Sequence, residues 1–275
     1  MRNQRVTVPE LQRKKERAEK IAVLTAYDAT MARLLDRAGV DALLVGDSLG
    51  MVVLGYDTTV PVTIEQVIHH TQAVSRGAAR ALVIADMPFL SYQVSVSEAV
   101  RNAGRLLQEG GASAVKLEGG QPVLDVVKRL VDVGIPVMGH LGLLPQSVNR
   151  IGGYGRQATS AADADALAVD ARRLEEAGAF AIVLESIPPE LARAVTGSLS
   201  IPTIGIGAGP DCDGQVLVSY DMLGLFDGFV PSFVKQYAHL AETVVEAART
   251  YVADVRQKQF PASPESVADV PRSGR

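Results

Sequence analysis

The stretch IAVLTAYDATMARLLDRAGVDALLVGDS, Ile21 to Ser48, decides the fold. An apolar run, Ile21 to Ala26, precedes a helical segment, Ala29 to Ala38. Gly39 then follows, and a second apolar run covers Ala42 to Gly46. Continuous apolar runs of this length mark strands buried on both faces. Glycine just past a helix relieves the steric penalty of a left-handed cap. The unit recurs along the chain. Further strands are expected at Ala81 to Ala85, Ala114 to Leu117, Ile135 to Gly139, Ala179 to Leu184, Ile201 to Ile204 and Gln215 to Val218. Helices are expected at Ile64 to Ser75, Val96 to Glu109, Val123 to Asp132, Ala161 to Ala177 and Glu190 to Thr196. Alternating strands and helices imply a parallel sheet, and eight strands favour closure into a (β/α)8 TIM barrel. Thr7 and Glu10 resemble a capping box for a leading helix, Pro9 to Glu19, expected to close the barrel bottom. An extra C-terminal helix is expected from Ala241 to Gln257. Residues 1–267 read as a single domain, and the proline-rich tail 268–275 as disordered.

Composition narrows the function. The chain has 275 residues, 27 of them basic and 31 acidic, for a net charge of -4. Nothing resembles a polyelectrolyte-binding surface, so nucleic acid is not an expected partner. No apolar run approaches the ~20 residues of a membrane helix. Arg2, Arg5, Arg13, Lys14, Lys15 and Arg17 are interspersed with Glu10, Glu16 and Glu19, which argues against a secretory or transit peptide. The lone Cys212 fits a reducing compartment, so a cytoplasmic location is expected.

Barrel chemistry sits at the C-terminal ends of the strands. Asp47, Asp86 and Glu118 follow three successive strands. Three carboxylates around one point repel unless a cation lies among them, and hard oxygen ligands select Mg2+ or a similar ion. The competing reading makes each one a helix cap. Lys116 shares a face with Glu118 two residues on. It suits a clamp for an anionic substrate oxygen, a Schiff-base amine or an ion pair. Glu185 ends the run AFAIVL, where a carboxylate is partly desolvated, as a working base is. His140 ends IPVMG and could contact a substrate carboxylate or be structural. His69, His70 and His239 read as structural or exposed. Tyr27, Phe89, Tyr92 and Tyr154 are available for stacking on a ligand ring. The segment Leu141 to Ser160 is long enough to be a lid.

These motifs carry a resemblance. LTAYDATMARLLDRAGVDALLVGDSLGMVVLGYDTTVPVT (Leu24 to Thr63), ADMPFLSYQ (Ala85 to Gln93), RNAGRLLQEGGASAVKLEGG (Arg101 to Gly120), GHLGLLPQSVNRIGGYGRQ (Gly139 to Gln157), VLESIP (Val183 to Pro188) and PTIGIGAGPDCDGQVLVSYDMLGL (Pro202 to Leu225) resemble the ketopantoate hydroxymethyltransferase family, in order, over about Val6 to Ser266. DGFVPSFVKQY, Asp227 to Tyr237, departs mildly: the family more often has a lysine after that proline.

The resemblance implies a (β/α)8 barrel. It implies transfer of a hydroxymethyl group from 5,10-methylenetetrahydrofolate to 3-methyl-2-oxobutanoate, giving 2-dehydropantoate, through a Mg2+-stabilised enolate. That is the first step toward pantothenate and coenzyme A. By the same resemblance, Asp47, Asp86 and Glu118 match the metal region. Asp47, Ser48, Asp86 and Lys116 match the ketoacid contacts, and Glu185 matches the proton acceptor. The family's members are cytoplasmic homo-oligomers, commonly decamers. The alternative enzyme reading is a Mg2+-dependent 2-oxoacid carbon–carbon lyase of the isocitrate lyase and phosphoenolpyruvate mutase type, which needs no folate.

Overall fold

The computed structural model describes residues 5–261, so the tail expected to be disordered from residue 268 lies outside the described residues. All eight apolar runs are strands: β1 (Ile21–Thr25), β2 (Ala42–Val45), β3 (Leu82–Asp86), β4 (Ala114–Lys116), β5 (Val137–Gly142), β6 (Ala181–Glu185), β7 (Thr203–Ile206) and β8 (Gly214–Leu217). They pair in parallel and in sequence order. The barrel closes where Ile21 of β1 meets Gly214 of β8. Helices α1 (Val8–Glu16), α2 (Ala29–Ala38), α3 (Leu49–Val52), α4 (Ile64–Gly77), α5 (Val96–Gln108), α6 (Leu124–Asp132), α7 (Val148–Ile151), α8 (Ala161–Glu176) and α9 (Pro189–Ser198) accompany the strands. They are followed by α10 (Ser219–Met222) and α11 (Leu240–Arg256). The chain divides into two compact units, the barrel through Ser219 and a smaller unit from Tyr220. Within the second, the α11 helix carries no buried residue. Among the described residues, no helix is long and apolar enough to cross a membrane.

The expected sequence signals act locally. Gly39 caps α2 at φ 95°, a conformation that side-chain-bearing residues avoid. The leading helix does plug the barrel. Val6 and the fully buried Leu11 join Ile21, Val23, Leu44, Ile84 and Met138 in one apolar cluster. Its start differs from the expectation, because Thr7 makes no side-chain cap bond. Glu10 is drawn instead to Arg13 at 2.6 Å and Arg17 at 2.8 Å, two charges that outcompete one backbone N–H. The capping box forms at α4, between Thr63 and Gln66. Strand β5 runs three residues past its expected end. Its pairing with β6 continues through His140↔Val183 to Gly142↔Glu185.

Candidate active site

Strand register brings the polar strand-end residues together. Asp86 and Lys116 lie side by side across β3 and β4. His140 pairs with Gly119, next to Glu118, through an isolated bridge. Asp47, Asp86, Lys116, Glu118 and His140 are buried polar residues. Ser48 is half-buried, its hydroxyl 2.9 Å from that of Tyr27. Asp28, at the end of β1, behaves differently. It caps α2, accepting from the backbone N–H groups of Thr30 and Met31. Asp28, which lies outside the trio of Asp47, Asp86 and Glu118, is thus a helix cap, while Asp47 and Asp86 face the buried cluster.

The cluster is continuous, joined where Lys116 Nζ lies 3.5 Å from His140 Nδ1. Lys116 Nζ lies 2.5 Å from Asp86 Oδ1, and Asp86 Oδ2 accepts from the backbone N–H of Asp47 at 3.1 Å. His140 Nδ1 faces Glu118 Oε1 at 3.5 Å, and its Nε2 faces Glu185 Oε2 at 3.1 Å. Burial, reinforced by Asp86 and Glu118, pushes the Asp47 carboxyl well above the usual carboxylate range. Burial raises Asp86 too, against the pull of Lys116. Burial by itself lowers the Lys116 ammonium, but Asp86, Glu118 and Asp47 outweigh it and hold the pKa above its ordinary value. For His140, burial and Lys116 act downward. Glu118 and Glu185 prevail and lift it to about 9, so the imidazole is cationic at neutral pH.

This donor set fits a divalent cation. Fully ionised, Asp47, Asp86, Glu118 and Glu185 outnumber the charges of Lys116 and His140 by two, the charge one such cation cancels. Asp86 Oδ1 and Glu118 Oε1 are buried without a hydrogen bond of good geometry. Lys116 Nζ meets the first of these as a charge contact. Buried oxygens in that condition are costly unless a cation or donor meets them. Among the described residues, no three His, Cys, Asp or Glu side chains form a ready-made metal cage. Mg2+ needs none, since it takes one or two carboxylates and keeps water or substrate oxygens for the rest.

The surroundings correct some sequence expectations. Tyr27 and Tyr92 are each 1% exposed, so neither can stack on an incoming ring, whereas Phe89 (36%) and Tyr154 (41%) can. The segment expected as a lid is partly built into the site. Its first residues extend β5, a 3-10 turn follows at Pro145–Ser147, and Gln146 is buried among the carboxylates. Gln146, which nothing in the sequence marked out, borders a cavity of about 260 Å3 with Val60, Phe89, Ser147, Asn149 and Arg150. Of the histidines set aside as structural, His70 contacts the carbonyl oxygen of Tyr27 through Nδ1 at 2.7 Å. Two backbone features frame Glu185. Gly142 takes φ 93°, where a Cβ would strike the Glu185 carbonyl. Ser186 is held at φ 51°, its N–H donating to Ile206 and its carbonyl accepting from Gln157.

Residues 5–263 match the family model described as ketopantoate hydroxymethyltransferase. A 3-methyl-2-oxobutanoate hydroxymethyltransferase from Moorella thermoacetica is 62% identical over 257 residues, covering 94% of this chain and 96% of that one. One from Carboxydothermus hydrogenoformans is 55% identical, covering 97% of both. Among solved structures, phosphonopyruvate hydrolase in complex with oxalate and Mg++ superposes with a TM-score of 0.61 at 14% identity, covering 97% of this chain and 92% of that one. A 2,3-dimethylmalate lyase of the PEP mutase/isocitrate lyase superfamily gives 0.59 at 17% identity, covering 98% and 91%. At such identities the likeness is one of fold.

Proposed function

Because the chain belongs to the ketopantoate hydroxymethyltransferase family, we propose that it transfers a hydroxymethyl group from 5,10-methylenetetrahydrofolate to 3-methyl-2-oxobutanoate, giving 2-dehydropantoate for pantothenate and coenzyme A synthesis. The observation that carries the reading is the convergence of Asp47, Asp86, Lys116, Glu118, His140 and Glu185 in one contact network at the strand ends. Asp47, Asp86 and Glu118 would hold Mg2+. When bound, the cation supplies Lewis-acid stabilisation of negative charge developing on the ketoacid oxygen. Ser48, Asp47, Asp86 and Lys116 orient the ketoacid. Lys116 stays protonated among its carboxylates, so it offers a positive charge rather than the free amine a Schiff base requires. Glu185 takes the C3 proton. The cationic His140 ring, its Nε2 3.1 Å from Glu185 Oε2, pairs with that carboxylate by charge and leaves Oε1 to receive the proton. Burial of the network keeps water from competing for it.

The same membership supports a cytoplasmic homo-oligomer, a decamer. In the smaller unit, α11 leaves Val244, Val245, Tyr251, Val252 and Val255 exposed, an apolar face suited to self-association. Light scattering on the purified protein checks the mass.

The test of the reaction is proton NMR of 3-methyl-2-oxobutanoate in deuterated buffer. With Mg2+, the C3 proton signal is expected to wash out, and excess chelator to stop it. Glu185→Gln should slow washout about 10²–10⁴-fold. Washout that survives the chelator overturns the metal assignment. Carbon–carbon cleavage of a 2-oxoacid without folate would support the lyase reading instead.

A further inference from the structure

Gln146 makes more polar contacts inside the cluster than any of the proposed ligands, yet it carries no charge. Its Nε2 donates to Asp47 Oδ2 at 2.8 Å and to the Met87 carbonyl at 3.0 Å. Its Oε1 accepts from the Tyr92 hydroxyl at 2.8 Å and from Gln93 Nε2 at 3.3 Å. Its backbone N–H donates to Glu118 Oε2 at 3.1 Å. The Met87 carbonyl can only accept, which settles the orientation of the amide. The Tyr92 hydroxyl is buried beside Glu118. That hydroxyl also takes the backbone N–H of Glu118 at 3.1 Å, so it ties Gln146 to the strand end beyond β4.

One residue thus grips two carboxylates that come from different strand ends. We propose that Gln146 is a positioning residue that occupies one oxygen of Asp47 and one of Glu118, so that each carboxylate presents its other oxygen to the cation. The proposal rests on the metal reading above. The physical reason is geometric. A lone carboxylate beside two others rotates away from them or takes up a proton. Two neutral N–H donors spaced by one residue's backbone and side chain fix both planes without adding a competing charge. Glu118 Oε1, the oxygen Gln146 leaves, is one of the buried acceptors without a hydrogen bond. Because Gln146 sits in the turn Pro145–Ser147, ligand geometry is also coupled to the conformation of that loop.

The test is Mn2+ titration of the full chain, followed by electron paramagnetic resonance, with melting temperatures on the same samples. Gln146→Leu keeps the backbone N–H and removes the amide. It is expected to weaken Mn2+ binding about 10–100-fold. Tyr92→Phe removes only the hydroxyl that orients the amide, and should act in the same direction by less. It carries the test if Gln146→Leu does not fold. A merely structural role lowers the melting temperature and leaves Mn2+ affinity unchanged. That result, in whichever variant folds, overturns the proposal. Failure of the wild-type protein to bind Mn2+ would overturn the metal reading itself, and the role of Gln146 with it. The two failures are distinguished by the wild-type arm.

Discussion

At the N-terminal end of the barrel, Asp41 accepts from the backbone N–H of Ala22 at 2.9 Å and pairs with Lys14 at 3.1 Å. Asp213 accepts from the backbone N–H of Thr203 at 2.8 Å and pairs with Lys15 at 2.9 Å. Lys15 donates further to the carbonyls of Thr196 and Ile201. At the C-terminal end the same residue types are crowded together, and buried carboxylate oxygens stand without hydrogen bonds. The lower set is satisfied and holds the α1 plug in place. The upper set has charge partners in Lys116 and His140 but leaves Asp86 Oδ1 and Glu118 Oε1 without hydrogen bonds. A barrel that treats aspartates so differently at its two ends separates stability from chemistry along its axis.

Substitutions sharpen this contrast. The largest effect belongs to Glu185→Gln, expected to lower kcat about 10²–10⁴-fold with little change in melting temperature. A stability loss as large as the activity loss would break the division. Next, Asp213→Ala should destabilise the fold by roughly 2–3 kcal/mol. It strands Lys15 and the Thr203 N–H, and kcat of the folded fraction should not move. Chemical denaturation alongside steady-state assay checks both. Third, Asp47→Asn should raise stability in chelator by about 1 kcal/mol while abolishing activity, since it replaces a buried carboxyl whose ionisation Asp86 and Glu118 oppose with a neutral amide. Saturating Mg2+ should stabilise the wild type, by about 2.7 kcal/mol at one hundred times Kd, and not the variant. A melting curve that falls for Asp47→Asn in chelator would mean the upper set is not strained.

The smallest effect is one of pH, at the lower end. Partial burial opposes ionisation of Glu175. Its bonds from the Ser200 hydroxyl and the backbone N–H groups of Ser200 and Ile201 outweigh that and hold the carboxyl below its ordinary value. A carboxyl depressed in the folded state contributes stability above its unfolded pKa and loses it as pH falls through the folded one. The contribution is under about 1 kcal/mol, because the group is partly open to solvent. Glu175→Gln should therefore narrow the stability gap between neutral pH and acid, as read by urea denaturation.

The order of strands and helices was legible because a strand buried on both faces must be apolar throughout, and because glycine is required where a helix ends left-handed. Gly39 shows the second half of that reasoning at work. The strand-end carboxylates, Lys116, His140 and Glu185 were legible for a related reason. A parallel barrel sends every strand end to one mouth, so adjacency in the pattern becomes adjacency in space. Where β5 ends was not legible. Gly142 looks like a loop residue, yet its pairing with Glu185 extends the strand. The capping box at Thr7 failed because Arg13 and Arg17 compete for Glu10, a choice made by side-chain packing.

The sequence by itself determined the eightfold alternation, the family and the set of polar strand-end groups, since these depend on local periodicity and on motifs contiguous in the chain. Only the tertiary structure decided which carboxylate oxygens are satisfied, that Asp28 is a cap while Asp47 faces the cluster, that Tyr27 and Tyr92 are buried, and that Gln146 joins Asp47 to Glu118. Those properties belong to contacts between residues far apart in the chain, 99 positions in the case of Gln146 and Asp47, and no local pattern encodes them.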